Sequence, residues 1–383
     1  MQHLLPWFAL KHIPGVGNHL FKKLIDRFGD PQHVFDASFE DLAAIHGIRR
    51  KVITAIKKRP CPDQCAQEIE NAQKKGYHII CMNDPCYPQV LKEIPDPPPY
   101  MYVYGALPVD KPAIAIVGSR NATPYGLATA EKLAGDLSGF GMTVVSGMAR
   151  GIDSAAHVGA LKAGHPTVAV IGSGLDCIYP RENEKLFHQI AETGGVVSEF
   201  PISAKPEPYN FPLRNRIICG MSLGTVVVEA AQKSGSLITA RLAAEQGREV
   251  FAVPGSIRSF KSAGTHRLLK QGAKLVENAQ DVIDEFPYLP DIQVYGASEG
   301  SPRTIGKDET VSPSSLSDKE REVLEALTPY PVHIDELSGK LNIPPGVVSG
   351  ILLKLELLGL ITQAPGKYFF INEDCCGKTI DHR

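Results

Sequence analysis

Between residues 113 and 256 short apolar runs alternate with longer mixed stretches, and each apolar run ends in a turn rich in glycine or serine. The run AIAIV at Ala113–Val117 is too short for a helix and is mostly β-branched, so it predicts a buried parallel strand. The same pattern predicts strands at 143–145, 167–171, 196–198, 225–228 and 249–253. Between them lie helix-like segments at 125–140, 153–163, 182–192 and 236–246. Strands that alternate with helices in this way predict an α/β fold with a doubly wound parallel sheet. The carboxyl ends of such strands share one crevice, and ligands bind there.

The turns that close these strands carry the candidate chemistry. Gly118, Ser119 and Arg120 follow the first strand, and Thr123-Pro124 reads as an N-cap and first helical position. A strand, a tight turn and a helix start present free N–H groups and the positive end of a helix dipole, which suits an anion. Arg120 adds a planar fork that matches phosphate geometry. Gly147 lies in the second turn, where Asp153 reads as a helix N-cap, and Gly172-Ser173-Gly174 forms the third. Ser234-Gly235-Ser236 has the look of a nucleophile turn, but no histidine is near in sequence to activate it, so it reads as a phosphate or helix-cap element.

The flanks differ in character. Residues 1–60 read as a helical domain with two helix-hairpin-helix-like units, built on Ile13-Pro14-Gly15-Val16-Gly17 before a helix at Asn18–Phe28, and on Ile45-His46-Gly47-Ile48 before one at 49–58. Such turns aim N–H groups at a DNA phosphate, although a plain helical domain fits equally well. Residues 61–110 read as an extension of the core sheet, with strands at 76–82 and 100–105, and the core proper runs over 111–290. A linker rich in Pro, Ser and Gly is expected at 291–317. Residues 318–372 then read as a winged helix, with helices at 318–327, 334–340 and 346–358 and a wing around Pro365-Gly366.

Charge sharpens this division. Residues 1–60 carry ten Lys/Arg against five Asp/Glu, and by the same count 61–110 are −4, 111–290 are +2 and 291–383 are −5. A polyanion is therefore expected at the N-terminal block and the core. The winged helix holds five bases against seven acids, and its third helix carries one Lys and one Glu, which favours protein docking or dimer support over DNA reading. No apolar run approaches the roughly 20 residues of a membrane span. The opening MQHLLPWFALKH lacks a cationic region and a small-residue cleavage site, so no signal peptide is expected and the cytoplasm is. The eight cysteines include Cys61/Cys65 and Cys81/Cys86, spacings too loose for zinc, so reduced thiols and no metal are expected.

The motifs VGSRNATPYG (117–126), SGMARGID (146–153), FPLRNRII (211–218), VEA with SGSLITA (228–230 and 234–240) and VPGS (253–256) run in the same order as in the DNA-processing protein A family (DprA, also called Smf), which this chain resembles. The resemblance covers about 111–290 and extends to the helical and winged-helix ends of longer members. It implies a Rossmann-like core that binds incoming single-stranded DNA during natural transformation, loads RecA recombinase onto it and works as a homodimer. It implies no cofactor and no enzymatic activity. The chain has neither a G-x-G-x-x-G after the first strand nor a P-loop, in keeping with that.

The DNA-binding set expected on this basis is Gly118, Ser119, Arg120, Gly147, Lys205, Phe211, Arg214, Arg216, Ser234 and Ser236. Phe211, read as part of a Pro-flanked loop with Lys205, is either a stacking platform for a base or a core anchor. Arg214 and Arg216 stand two apart and would point in different directions from a helix, so one is expected at phosphate and the other on an acid such as Glu229 or Asp153. The rival expectation is a nucleotide-cleaving phosphoribohydrolase of related fold. Gly224-Thr225-x3-Glu229 resembles that group's G-T-x-x-E with one residue too many, and the Pro-Gly-Gly that should precede it is absent.

Overall fold

The core strands are apolar at consecutive positions, rich in valine and isoleucine, and this places two apolar faces on one sheet. In β3 (Ala113–Val117), Ile114 and Ile116 pack into one hydrophobic cluster while Ala115 and Val117 enter another. The sheet is thus buried on both sides, as a parallel sheet requires. The computed structural model describes residues 2–59, 63–289, 316–328, 331–364 and 366–371. Cys61, Pro365 and nearly all of the expected linker at 291–317 lie outside these residues.

Six helices come first: α1 (Leu5–Lys11), α2 (Asn18–Phe28), α3 (Pro31–Asp36), α4 (Phe39–Ala43), α5 (Arg50–Lys57) and α6 (Asp63–Lys74). The two expected hairpins are present, with Gly15 (φ +93°) between α1 and α2 and Gly47 (φ +90°) between α4 and α5. Then follow β1 (His78–Cys81), α7 (Gln89–Lys92) and β2 (Tyr100–Gly105). The N-terminal helices share their core with the sheet and do not stand apart as a 1–60 domain. Phe8 of α1 stacks on Tyr100 of β2 with ring centroids 4.1 Å apart, and one buried cluster runs from Leu4 to Ala240. Burial of each such large side chain stabilises by roughly 1.5–3 kcal/mol.

After β3 the chain alternates α8 (Pro124–Gly139), β4 (Thr143–Ser146), α9 (Ile152–Lys162), β5 (Thr167–Val170), α10 (Glu184–Thr193), β6 (Gly195–Ser198), α11 (Asn210–Gly220), β7 (Gly224–Val227), α12 (Gly235–Glu245), β8 (Glu249–Ala252), α13 (Ala263–Lys270), β9 (Lys274–Leu275) and α14 (Ala279–Ile283). The strand order is β1-β2-β6-β5-β4-β3-β7-β8-β9. From β6 to β9 every pair is parallel, and β1 and β2 extend the sheet antiparallel. The chain fills one side of β3, then crosses back to place β7 on the other. The order reverses between β3 and β7, and a doubly wound sheet opens its binding crevice at such a point.

The second unit is the winged helix: α15 (Asp318–Ala326), β10 (Val332–His333), α16 (Ile334–Leu341), α17 (Pro345–Leu357), β11 (Ile361–Ala364) and β12 (Tyr368–Ile371). Its sheet order is β10-β12-β11. Ser317 and Glu320 form a capping box, and Glu320 also receives Lys354 of α17 at 2.8 Å. The lysine of the third helix is thus engaged within the module, while Val347, Leu353 and Leu357 of that helix are exposed.

Candidate nucleic-acid interface

The crevice at the switch point has a volume of about 660 Å³. Gly118, Ser119 and Arg120 line it from the end of β3, Phe211, Arg214 and Asn215 from α11, and Ser234, Gly235 and Ser236 from the start of α12. Of the ten expected residues, seven therefore meet in one crevice, brought from three separate parts of the chain.

Phe211 does not sit in a loop. It belongs to the first turn of α11, where Pro212 is tolerated because the N–H it lacks would have no helical partner there. The ring is half-buried over Gly172, where a Cβ would stand 3.0 Å from Cδ1. Tyr179 lies tilted against it at 51° with centroids 5.5 Å apart, and the exposed Arg120 guanidinium lies 5.3 Å from its centre. The crevice thus has at its mouth an aromatic surface with a cation held against it. Tyr179 also lines the crevice and is largely exposed, yet the sequence reading passed over it. An aromatic in a loop directly after a strand-end turn was the available signal.

The two arginines of α11 have parted as their spacing requires, but both are buried. Arg214, 4% exposed, donates to the Val170 carbonyl and lies 4.0 Å from Asp153. Its guanidinium occupies the space above Gly147, where any Cβ would overlap it. Gly147 thus makes room for Arg214 and does not line the crevice. Burial lowers Arg214 to about 10, which leaves it charged at neutral pH, and pushes the Asp153 carboxyl up against the opposing pull of Arg214. Asp153 is not the N-cap of α9. Gly151 holds that position, and Asp153 reaches back from the first turn to accept the Ala149 N–H at 3.4 Å.

Arg216, 7% exposed, turns away from the crevice. Its Nη2 meets Glu199 and its Nε lies 3.2 Å from Asp96. Its partners are therefore Glu199 and Asp96, and neither expected acid is among them. Glu199 also accepts from Asn18 at 3.3 Å, and Asn18 in turn accepts from Lys11, so this network joins α11 to the N-terminal helices. Lys205 is exposed in the loop before α11, beside Pro206 and Pro208, which do line the crevice. Ser234 caps α12 by accepting the Ser236 N–H at 3.4 Å, and the two hydroxyls stand 2.7 Å apart. Glu229, the acid of the rival reading, is buried, and its carboxylate packs beside Gly126 outside the crevice lining.

Beneath Arg214 lies His157, fully buried, with Nδ1 2.8 Å from the Thr167 hydroxyl. Desolvation, with Arg214 adding, holds its pKa down to about 3. An unfolded histidine titrates near 6.5. Between those values the unfolded chain takes up a proton that the folded chain refuses, so His157 lowers stability as pH falls through that window. His157→Gln should flatten the fall of the urea midpoint between about pH 6.5 and 4. An unaltered profile would contradict this account.

Among the described residues no group of three His, Cys, Asp or Glu is placed to hold a metal, and no helix is long and apolar enough to cross a membrane. Compared with known proteins, the chain matches the family model of DNA recombination-mediator protein A over residues 78–287. The chain belongs to the DprA family. The DprA winged helix domain also matches, over 307–367. Protein Smf of Synechocystis sp. is 35% identical, covering 94% of this chain and 96% of that protein. DNA processing protein DprA of Streptococcus pneumoniae is 46% identical over 65% of this chain and 86% of its own. The X-ray structure of the S. pneumoniae DprA superposes with a TM-score of 0.65 at 36% identity, covering 74% of this chain and 99% of that one. DNA processing protein A of Helicobacter pylori, whose structure is described for its single-stranded DNA binding mode, gives a TM-score of 0.50 at 32% identity, covering 55% and 94%. The Rossmann-like core and the winged helix are thus DprA domains.

Proposed function

We propose that the crevice binds single-stranded DNA, and that the chain acts in natural transformation as a homodimer that protects the incoming strand and loads RecA recombinase onto it. The observation that carries this reading is the Arg120–Phe211 pair, 5.3 Å apart at the mouth of the crevice. An aromatic face accepts any base, and a guanidinium beside it accepts the phosphate that follows, which suits a strand bound without regard to sequence. The serine-capped start of α12 supplies N–H donors and a helix dipole to the same space. The H. pylori relative, with its single-stranded DNA binding mode, supports the same class of ligand.

The test is a titration of oligonucleotides across salt. A phosphate contact releases counterions, so Arg120→Ala should weaken binding and flatten the salt dependence by about 0.7 on single strands. The same variant should load RecA poorly while staying folded. A folded Arg120→Ala protein with wild-type affinity and slope would place the strand elsewhere.

A further inference from the structure

We propose that the loop after β8, residues 254–262, is a second stacking and phosphate-contact station for the same strand, with Phe260 as its platform and Arg258 and Lys261 as its cations. The proposal rests on the crevice reading and extends the path of the DNA along the sheet edge.

Topology puts this loop beside the crevice. β8 is parallel to β7, which is parallel to β3, so all three carboxyl ends open on one edge. Where the loop runs into α13, the Gly264 N–H donates to the Ala230 carbonyl at 2.7 Å. That contact packs the end of the loop against the segment leading to Ser234. Ile238 of α12, half-exposed, lines the crevice from the helix that follows Ser234.

The loop's own chemistry points to a nucleic acid. Phe260 is 74% exposed and Ile257 is 92% exposed, so neither side chain serves the core. From Pro254 to Val276 the chain carries Arg258, Lys261, Arg267, Lys270 and Lys274 and no Asp or Glu, and of these Lys274 is paired with Glu285 at 2.6 Å. Within a core whose overall charge is nearly balanced, this is a concentrated positive field that favours a polyanion over an ordinary protein surface. The Ser256 and Ser259 hydroxyls accept the N–H groups of Arg258 at 3.2 Å and Lys261 at 3.3 Å, fixing the turn before Phe260 and the turn that carries it. Basic side chains interleaved with an exposed ring form the surface that binds single strands.

The separation of the two platforms makes the idea testable. Phe211 lies over the turn after β5, and β5 and β8 are separated by four strand intervals in the order β5-β4-β3-β7-β8. At about 4.8 Å per interval the ends of β5 and β8 that carry the two platforms stand roughly 19 Å apart. A short oligonucleotide should reach only one of them, and a longer one both.

The experiment titrates the full chain with oligothymidylates of about 3 nucleotides, too short to span both platforms, and of about 20 nucleotides, beyond one site size of single-strand binders. Phe260→Ala should weaken the longer strand by roughly tenfold, within the range of one lost stack, with unchanged salt slope and unchanged binding of the shorter strand. Arg258→Ala with Lys261→Ala should flatten the slope on the longer strand by about 1.4. Phe211→Ala should weaken both lengths. If Phe260→Ala binds both lengths like wild type while Phe211→Ala weakens both, the loop is off the path of the strand and this inference fails, though the crevice reading stands. Poor RecA loading by that same variant would then make the loop a protein contact. If Phe211→Ala changes neither length, the crevice reading fails, whatever Phe260→Ala does.

Discussion

Phe211→Ala should weaken single-strand binding by about 1–3 kcal/mol, some 5- to 150-fold, and leave the salt slope where it was. The ring carries no charge, so its loss removes stacking and releases no counterion. The fold should tolerate the change, because the ring is only half-buried over Gly172 and closes no core cluster. A thermal melt close to wild type, with affinity lowered uniformly from low to high salt, is the expected pair of results. A drop confined to low salt would mean that Phe211 acts by positioning Arg120 and accepts no base itself.

Arg214→Met destabilises the folded chain by about 3–5 kcal/mol, because it leaves Asp153 buried without its counter-charge. The Val170 carbonyl also loses its donor. Without Arg214 the Asp153 carboxyl should rise further above its unfolded value. The folded form then holds a proton that the unfolded form releases, so stability is lost as pH rises and the deficit shrinks as pH falls toward the carboxylate range. Urea midpoints near pH 4.5 and pH 7.5 check the sign. Adding Asp153→Asn should recover part of the loss at pH 7.5, since it removes the unpaired charge. A variant with wild-type midpoints at both pH values would show that the pair contributes nothing.

Much of this architecture could be read from the order of residues. Strands β3 to β8 were marked by β-branched runs and by the turns after them, and alternation with helices fixed their parallel sense. The crevice was legible for the same reason, because a parallel sheet gathers its carboxyl ends whatever the details. The failures share a cause: they depend on which surface a side chain meets once elements far apart in sequence are packed. Two prolines made α11 look like a loop, although Pro212 lies within its first turn, where its missing N–H does no harm. Gly147 belongs to the expected DNA-binding set, but its lack of a side chain serves to admit the Arg214 guanidinium. One of Arg214 and Arg216 was expected on a core acid, but the acids that meet Arg216, Glu199 and Asp96, come from other segments than the two expected. The N-terminal helices carry a domain-like pattern of their own, and it takes the stacking of Phe8 on Tyr100 and the core they share with the sheet to show that they belong to it.

α11 works as a rigid rod clamped at mid-length. Its first turn bears the ring at the crevice mouth, and about 7.5 Å further along its axis Arg216 is gripped by acids tied to Asn18 and Lys11. Arg214, buried on Val170 and Asp153, fixes the same helix to the sheet, so the sheet and the N-terminal helices together set where the ring stands against Arg120. Grafting the core onto a foreign N-terminal segment would therefore remove one of the two anchors of this helix even where every residue that lines the crevice is retained.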